Sequence, residues 1–255
     1  MSALRIERDR GVLRVRLARP ERRNAFDAAL IAELAGAFAD VGDARAVVLT
    51  GEGPSFCAGA DVEWQRSSID LSYDENLEDA RRLYRMLESI YRCPAPVVAG
   101  VHGYALGGGS GLTACADIAI AAEDAVFGFS EVRLGIIPSV ISPWVLARIG
   151  PAAARRYFLT GERFDSATAL RIGLVDEVAS DLHAALDRVV EDLLAGGPIA
   201  VREAKRLVLE PADEEEAVRR AADRRISEEG QEGLKAFLDS RRDRPVHPSW
   251  RPQEE

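Results

Sequence analysis

The sequence predicts an α/β fold with parallel strands, and three observations support the prediction. Short apolar stretches typical of buried strands, such as Ala46–Thr50 and Pro96–Val101, alternate with helical stretches such as Asp74–Tyr91. Glycine-rich segments follow both of these strands. Hydrophobic residues make up 47% of the 255 residues, which is enough for a sizeable core. Alternation of strand and helix along a chain favours parallel strands covered by helices.

The individual elements follow from local patterns. Val12–Leu17 alternates apolar and charged residues, which predicts a half-buried strand. Ala28–Asp40 carries apolar residues at helical spacing, and Asn24 or Asp27 can cap this helix. Asp117–Ala121 is a further apolar stretch typical of a buried strand.

The composition changes near residue 196, where charged helix formers become dominant. Amphipathic helices of this kind need a partner surface for their apolar faces. We therefore predict a core over residues 1–195 and a helical oligomerisation subdomain over residues 196–255. The tail from Arg244 onward is expected to be frayed. The predicted helices of the subdomain are Arg202–Leu209, Glu214–Glu229 and Gln231–Arg242.

Charge and residue usage exclude several classes of protein. The net charge of −9 argues against nucleic acid as a partner, because phosphate binding requires a basic surface. The N-terminal residues are charged and show no apolar run of signal-peptide length, and no apolar stretch is long enough for a membrane span, so we expect neither element. The 3 cysteines are widely separated, and the 3 histidines lack metal-ligand spacing. We expect a cytoplasmic protein with no metal and no cofactor.

Three segments could carry chemistry: Ser55–Val62, Gly103–Leu112 and Phe127–Pro138. The first two follow buried strands, and glycines there let a backbone approach a ligand with free N–H groups. Neither segment contains a phosphate-loop or dinucleotide-binding motif. Each could simply be a tight turn, but two N–H groups from separate strand ends can converge on one oxygen as an oxyanion hole. Glu131 could then act as the acid/base group, although a single glutamate is usually a solvated charge.

Together these segments resemble the crotonase superfamily of enoyl-CoA hydratases and isomerases. The motifs are closest to those of bacterial enoyl-CoA and methylglutaconyl-CoA hydratases. The resemblance implies a spiral of ββα units, an acyl-CoA thioester substrate, and a homotrimer or hexamer assembled through C-terminal helices. It covers nearly the whole chain and runs through Arg19–Ala25, Phe56–Val62, Gly103–Gly111, Phe127–Pro138, Leu159–Phe164, Gly173–Val175 and Glu232–Phe237.

The resemblance also implies roles for single residues. The oxyanion hole falls on the backbone N–H groups of Ala60 and Gly108, with Glu131 as the catalytic carboxylate. Arg22 or Arg23 would lie near the CoA phosphates. The residues expected along the substrate, besides these, are Ala25, Ala58, Asp61, Val62 and Gly107.

One position departs from the family pattern. Hydratases with two carboxylates carry a glutamate where this chain has Gly111. We expect an enoyl-CoA hydratase that adds water across the 2,3 double bond. An isomerase that uses Glu131 as a single proton shuttle is the first alternative, and a non-catalytic acyl-CoA-binding protein is the second. His102 could reach the site, but a structural role is the favoured interpretation.

Overall fold

The computed structural model describes residues 2–241 and 247–251. Its main sheet has six strands: β1 (Leu4–Asp9), β2 (Val12–Leu17), β3 (Ala46–Gly51), β4 (Val97–Val101), β6 (Ile118–Ala122) and β9 (Glu177–Ala179). They are hydrogen-bonded to one another in this order. Only β1 pairs antiparallel with its neighbour, and the other pairings in this sheet are parallel.

A second sheet of three short strands lies after the glycine-rich segments. It consists of β5 (Tyr104–Leu106), β7 (Val126–Gly128) and β8 (Arg163–Asp165), with β7 in the middle. An isolated bridge pairs Cys57 with Ala105, so the segment after β3 joins this sheet beside β5. The two glycine-rich segments therefore lie next to each other.

Ten α-helices accompany the sheets in the described residues. Asp27 caps α1, since its Oδ1 accepts a hydrogen bond from the Leu30 N–H at 2.9 Å. The helices are α1 (Ala28–Ala39), α2 (Val62–Ser67), α3 (Tyr73–Tyr91), α4 (Gly108–Cys115), α5 (Ser142–Thr160), α6 (Ser166–Ile172), α7 (Leu182–Ala195), α8 (Pro198–Leu209), α9 (Glu214–Ile226) and α10 (Glu228–Ser240).

Helices cover both faces of the main sheet, and this explains why its central strands are apolar on both sides. Helix α7 packs on one face, where Val12, Val48, Val98 and Ile120 are buried beneath it. The larger core lies on the other face, with α1 and α3 in contact across it. None of the helices in the described residues combines the length and the apolar composition needed to cross a bilayer.

The predicted α/β fold is confirmed, and so is a helical C-terminal part. The first C-terminal helix begins at Pro198, earlier than predicted, because proline is well tolerated at the first position of a helix. Lys205 anchors this helix to the core, since its Nζ lies 2.7 Å from Asp117 Oδ2. The division into two domains at residue 196 stays a prediction. Most of the tail from Arg244 lies outside the described residues.

Candidate active site

The segment between Arg19 and Asn24 is a strained turn that holds the first glycine-rich loop, Ser55–Val62, in place. Asn24 is fully buried and has a φ of 55°, a left-handed conformation that asparagine tolerates. Its Nδ2 donates hydrogen bonds to the carbonyls of Glu52 and Ser55 at 2.9 and 2.8 Å. Its Oδ1 accepts from the Arg19 N–H at 2.8 Å. The turn thereby fixes the chain where it leaves β3.

The first loop then pairs with the residues that follow this turn. The Phe26 N–H donates to the Gly59 carbonyl and the Asp61 N–H donates to the Phe26 carbonyl, both at 2.7 Å. Phe26 and Ala60 therefore form an isolated parallel bridge. In a parallel bridge of this kind the Gly59 carbonyl and the Asp61 N–H point toward Phe26. The N–H of Ala60, which lies between them, therefore points away from Phe26. The Ala60 N–H makes no hydrogen bond within the described residues.

The second glycine-rich loop, Gly103–Leu112, leads into helix α4, and close contacts with neighbouring residues require its glycines. Gly107 has a φ of 50°, and its N–H donates to the Gly128 carbonyl at 2.8 Å. A Cβ at Gly109 would lie 2.1 Å from the Cys57 carbonyl oxygen, so only glycine fits there. Gly108 is the first residue of α4, where backbone N–H groups have no partner in the helix. The Gly108 N–H makes no hydrogen bond to any other described residue.

Ala60 and Gly108, the residues with these free amides, both line one cavity of about 330 Å³. Most of the remaining wall is apolar, and a few polar side chains come from α2, α3, the segment between them and the segment after β7. This combination of an apolar wall and a few polar groups is typical of small-molecule sites. The larger apolar side chains are Phe26, Trp64, Leu83, Leu106, Leu134, Ile136, Ile137, Pro138, Val140 and Ile141, and the polar ones are Gln65, Ser68, Asn76, Asp79, Ser130 and Glu131.

Glu131 lines the same cavity from a 3₁₀ helix, Glu131–Leu134, that follows β7. Its Oε1 lies 3.0 Å from the position of a Cβ on Gly107, so a larger residue at 107 would press on the carboxylate. Its Oε2 is buried and has no hydrogen-bond partner within the described part of the chain. Burial raises the pKa of Glu131 above its ordinary value of 4.5. A carboxylate of this kind is suited to accept and return a proton.

Gly111 faces an isoleucine where a second carboxylate would have to fit. A Cβ at Gly111 would lie 2.5 Å from Cγ2 of Ile141. Ile141 is 3% exposed and lines the cavity. The space next to α4 is therefore apolar and closed.

The residues expected along the substrate divide into two groups. Ala58 and Gly107 line the cavity together with Ala60, Gly108 and Glu131. The others do not line it: Ala25 and Asp61 are buried beside it, and Arg23 and Val62 lie on the outer surface.

Asp61 has a structural role in the present geometry. Its Oδ1 accepts hydrogen bonds from the Glu63 and Trp64 N–H groups and so caps α2. Its Oδ2 lies 2.9 Å from Arg22 Nη1. Burial is the largest influence and pushes the pKa of Asp61 upward. The Arg22 hydrogen bond and the two amides outweigh burial and hold this pKa below its ordinary value.

His102 does not line this cavity. Its Nε2 lies 2.8 Å from the Gly53 carbonyl oxygen, and it borders a separate cavity next to α7. Cys57 is fully buried beneath the first loop, and burial raises the pKa of its thiol to about 12, so it is no nucleophile. Among the described residues, no group of three His, Cys, Asp or Glu side chains is placed to hold a metal ion.

Sequence reasoning missed two residues that shape the cavity, Phe26 and Ile141. Each lies inside or beside a family-like segment, but neither belongs to a residue type that signals chemistry. Their contacts with Gly108 and Gly111 join positions far apart in the sequence. The available signal was the presence of glycines in a predicted helix, since a glycine there often indicates that another side chain packs closely against the helix.

Comparison with known proteins gives the class to which this fold and site belong. A family model described as enoyl-CoA hydratase/isomerase matches residues 7–245. The chain therefore belongs to the enoyl-CoA hydratase/isomerase family, and the predicted resemblance to crotonases is confirmed.

Individual relatives cover nearly all of the chain. It is 34% identical to the cyclohexa-1,5-dienecarbonyl-CoA hydratase of Thauera aromatica, over 92% of this chain and 93% of that protein. It is 32% identical to the crotonyl-CoA hydratase of Syntrophomonas wolfei, over 93% and 95%. The crystal structure of an enoyl-CoA hydratase from Shewanella pealeana superposes with a TM-score of 0.90 at 37% identity, over 97% and 96%. This agreement confirms the predicted crotonase-type fold.

Proposed function

We propose that the protein is an enoyl-CoA hydratase that adds water across the 2,3 double bond of a 2-enoyl-CoA. The observation that carries the proposal is the buried Glu131 Oε2, which has no partner in the described residues and belongs to a side chain lining the cavity beside two free amides. Buried polar atoms are normally hydrogen-bonded, so an unpartnered carboxylate in a cavity is suited to a ligand. Two relatives that cover most of the chain carry hydratase names.

The thioester oxygen accepts hydrogen bonds from the Ala60 and Gly108 N–H groups in this proposal. These bonds strengthen as negative charge develops on the oxygen, which makes C3 of the enoyl group electrophilic. Water attacks C3 while Glu131 takes its proton, and the electrons of the double bond move into an enolate. The same carboxyl then returns the proton to C2. The hydroxyl and one hydrogen have been added, and Glu131 is again a carboxylate.

Isomerisation is the second candidate, and Gly111 with Ile141 over it favours this alternative. Moving a double bond from C3–C4 to C2–C3 needs one base and no water. Glu131 would remove a proton from C2, and the resulting enolate would be held by the same two amides. The carboxyl would then deliver the proton to C4. Both candidates use the same groups and differ in whether water reaches C3.

The CoA part of the substrate would extend over the outer surface of the first loop. We propose Arg22 or Arg23 as the partner of its phosphates. Arg23 is exposed, and its guanidinium carbon lies 5.8 Å from the centre of the Tyr104 ring, whereas Arg22 is engaged with Asp61. Arginine suits phosphate recognition because its charge is permanent and its donors are paired. The proposal requires no metal and no cofactor besides the CoA of the substrate.

We also propose that residues 196–255 form the oligomerisation subdomain of a cytoplasmic homotrimer or hexamer. The support is a set of large apolar side chains exposed on α8, α9 and α10, which a neighbouring subunit could cover. They are Ile199, Leu207, Val208, Val218, Ile226, Leu234, Phe237 and Leu238.

Turnover of matched thioesters tests the proposed function. The purified protein is incubated with 2-enoyl-CoA and 3-enoyl-CoA of the same chain length, and products are separated by chromatography and identified by mass. A gain of one water from the 2-enoyl substrate is expected for a hydratase. Conversion of the 3-enoyl substrate without a mass change would instead identify the isomerase. Binding of both thioesters without turnover would indicate the non-catalytic alternative.

A further inference from the structure

Phe26 contacts both halves of the proposed oxyanion hole. Its backbone forms the two 2.7 Å hydrogen bonds to Gly59 and Asp61 that turn the Ala60 N–H away from Phe26. Its ring lies against the start of α4, where a Cβ at Gly108 would be 2.6 Å from Cε2 and 2.8 Å from Cδ2. Phe26 is 1% exposed, so its ring is buried in the protein where it borders the cavity. One residue therefore touches both loops at their amide-bearing positions.

The ring accounts for the glycine at position 108. Gly108 lies in the first turn of a helix, and its φ is outside the left-handed range that favours glycine. Alanine is therefore compatible with its backbone. The obstacle is the Phe26 ring, because contacts below 3.0 Å force either the ring or the backbone to move.

We infer that Phe26 is a positioning residue that sets the spacing between the Ala60 and Gly108 N–H groups. The inference rests on the proposed function, since it assumes that these two amides hold the thioester oxygen. Oxyanion stabilisation depends on donors fixed where the charge develops. A displacement near 1 Å can lower a rate by about 10²-fold. Phe26 supplies that fixation because its backbone is bonded to the first loop and its ring packs against the start of α4.

A double-mutant cycle tests this inference. Gly108→Ala keeps the N–H donor but places a methyl against the ring, so we expect kcat to fall about 10²-fold. Phe26→Val removes Cδ2 and Cε2 while keeping a residue suited to the extended bridge, and we expect a loss of about tenfold. In the double variant the methyl fits where the ring edge was. We therefore expect its kcat to exceed that of Gly108→Ala alone, which is the opposite of additive losses.

Two further measurements separate positioning from stability. An enoyl thioester with an electron-donating aryl group at C3 absorbs at longer wavelength when its carbonyl accepts hydrogen bonds. The shift should be smaller when bound to Gly108→Ala or Phe26→Val and larger again in the double variant. Phe38→Val is the matched control, because Phe38 is a buried phenylalanine of α1 that does not line the cavity. It should lower the melting temperature but keep the full shift and the kcat.

The outcomes distinguish the inference from the proposed function. Losses in kcat and shift that simply multiply in the double variant would overturn the positioning role of Phe26. So would a folded Phe26→Val protein with wild-type kcat and shift. A wild-type protein that neither shifts the chromophore nor turns over enoyl thioesters would overturn the proposed function and this inference with it. Phe26→Leu, which also lacks Cε2, replaces Phe26→Val in the cycle if the valine variant does not fold.

Discussion

Asp61 and Glu131 are both carboxylates beside the paired loops, but their surroundings are opposite. Asp61 uses both oxygens, one to cap α2 and one to bind Arg22. Glu131 lies among apolar side chains and leaves Oε2 without a partner in the described residues. As a result, the pKa of Asp61 lies below its ordinary value and that of Glu131 above it. Neighbouring groups therefore decide which carboxylate is free for chemistry.

The largest effect is expected for Glu131→Gln. Glutamine keeps the shape of the side chain but cannot take a proton, so kcat should fall by about two to four orders of magnitude. Affinity for the thioester should change little, because the amide donors remain. Steady-state kinetics with a separate binding measurement would check both statements. Wild-type turnover by this variant would mean that another group transfers the proton. The contrast between Glu131 and Asp61 would then not explain which carboxylate reacts.

The closed space over Gly111 gives the next effect. Gly111→Ala should destabilise the protein by about 1–3 kcal/mol, because its Cβ would meet Ile141 at 2.5 Å. In an Ile141→Ala background, which lacks Cγ2, the loss caused by Gly111→Ala should be smaller. Denaturant unfolding of the three variants would measure the coupling. Equal destabilisation by Gly111→Ala in both backgrounds would contradict the role of Ile141 as the residue that fills this space.

Asp61→Asn should affect stability more than chemistry. The variant loses the ion pair with Arg22 and weakens the cap of α2, at a cost of about 1–2 kcal/mol. Since Asp61 does not line the cavity, kcat should stay within about threefold of the wild type, far from the loss expected on removing an acid/base group. Unfolding curves and kinetics on one preparation would test this. A loss in kcat as large as that of Glu131→Gln would move Asp61 into the reaction.

The smallest effect is a pH-dependent difference in stability. The raised pKa of Glu131 means that its ionisation opposes folding, so this penalty is absent below pH 4.5 and grows as pH rises through the folded pKa. Glu131→Gln should therefore melt at a higher temperature than the wild type at pH 7, and the difference should shrink toward pH 4.5.

Asp61 should show the opposite dependence on pH. Its lowered pKa stabilises the folded state above pH 3.8, and this contribution is lost only as pH falls through the folded pKa. The deficit of Asp61→Asn should thus be constant between pH 5 and 7, within the precision of about 0.3 kcal/mol expected for independent sites. Melting curves across this range would compare both variants directly. Parallel pH curves for the two would contradict the opposite pKa directions.

Much of the fold could be predicted because its signals are local. Alternating or continuous apolar stretches indicated β2, β3, β4 and β6, and helical spacing with a capping aspartate indicated α1. Five strands were not predicted: β1, in which only Leu4 is buried, and β5, β7, β8 and β9, which have three residues each. Three residues are too few to show a periodic pattern, so such strands are defined only by their hydrogen bonds to neighbouring strands.

The sequence by itself determined the glycine-rich loops after β3 and β4, and it placed Glu131 in the third chemistry-bearing segment. It could do so because the conformational freedom of glycine and the ability of glutamate to transfer a proton are properties of the residue types themselves. Tertiary structure alone decided that Asp61 is engaged, that Ile141 closes the space at Gly111, and that the Phe26 ring lies against Gly108. Arg22 and Asp61 are 39 residues apart. Burial, pairing and close contact depend on such distant neighbours, so no local pattern records them.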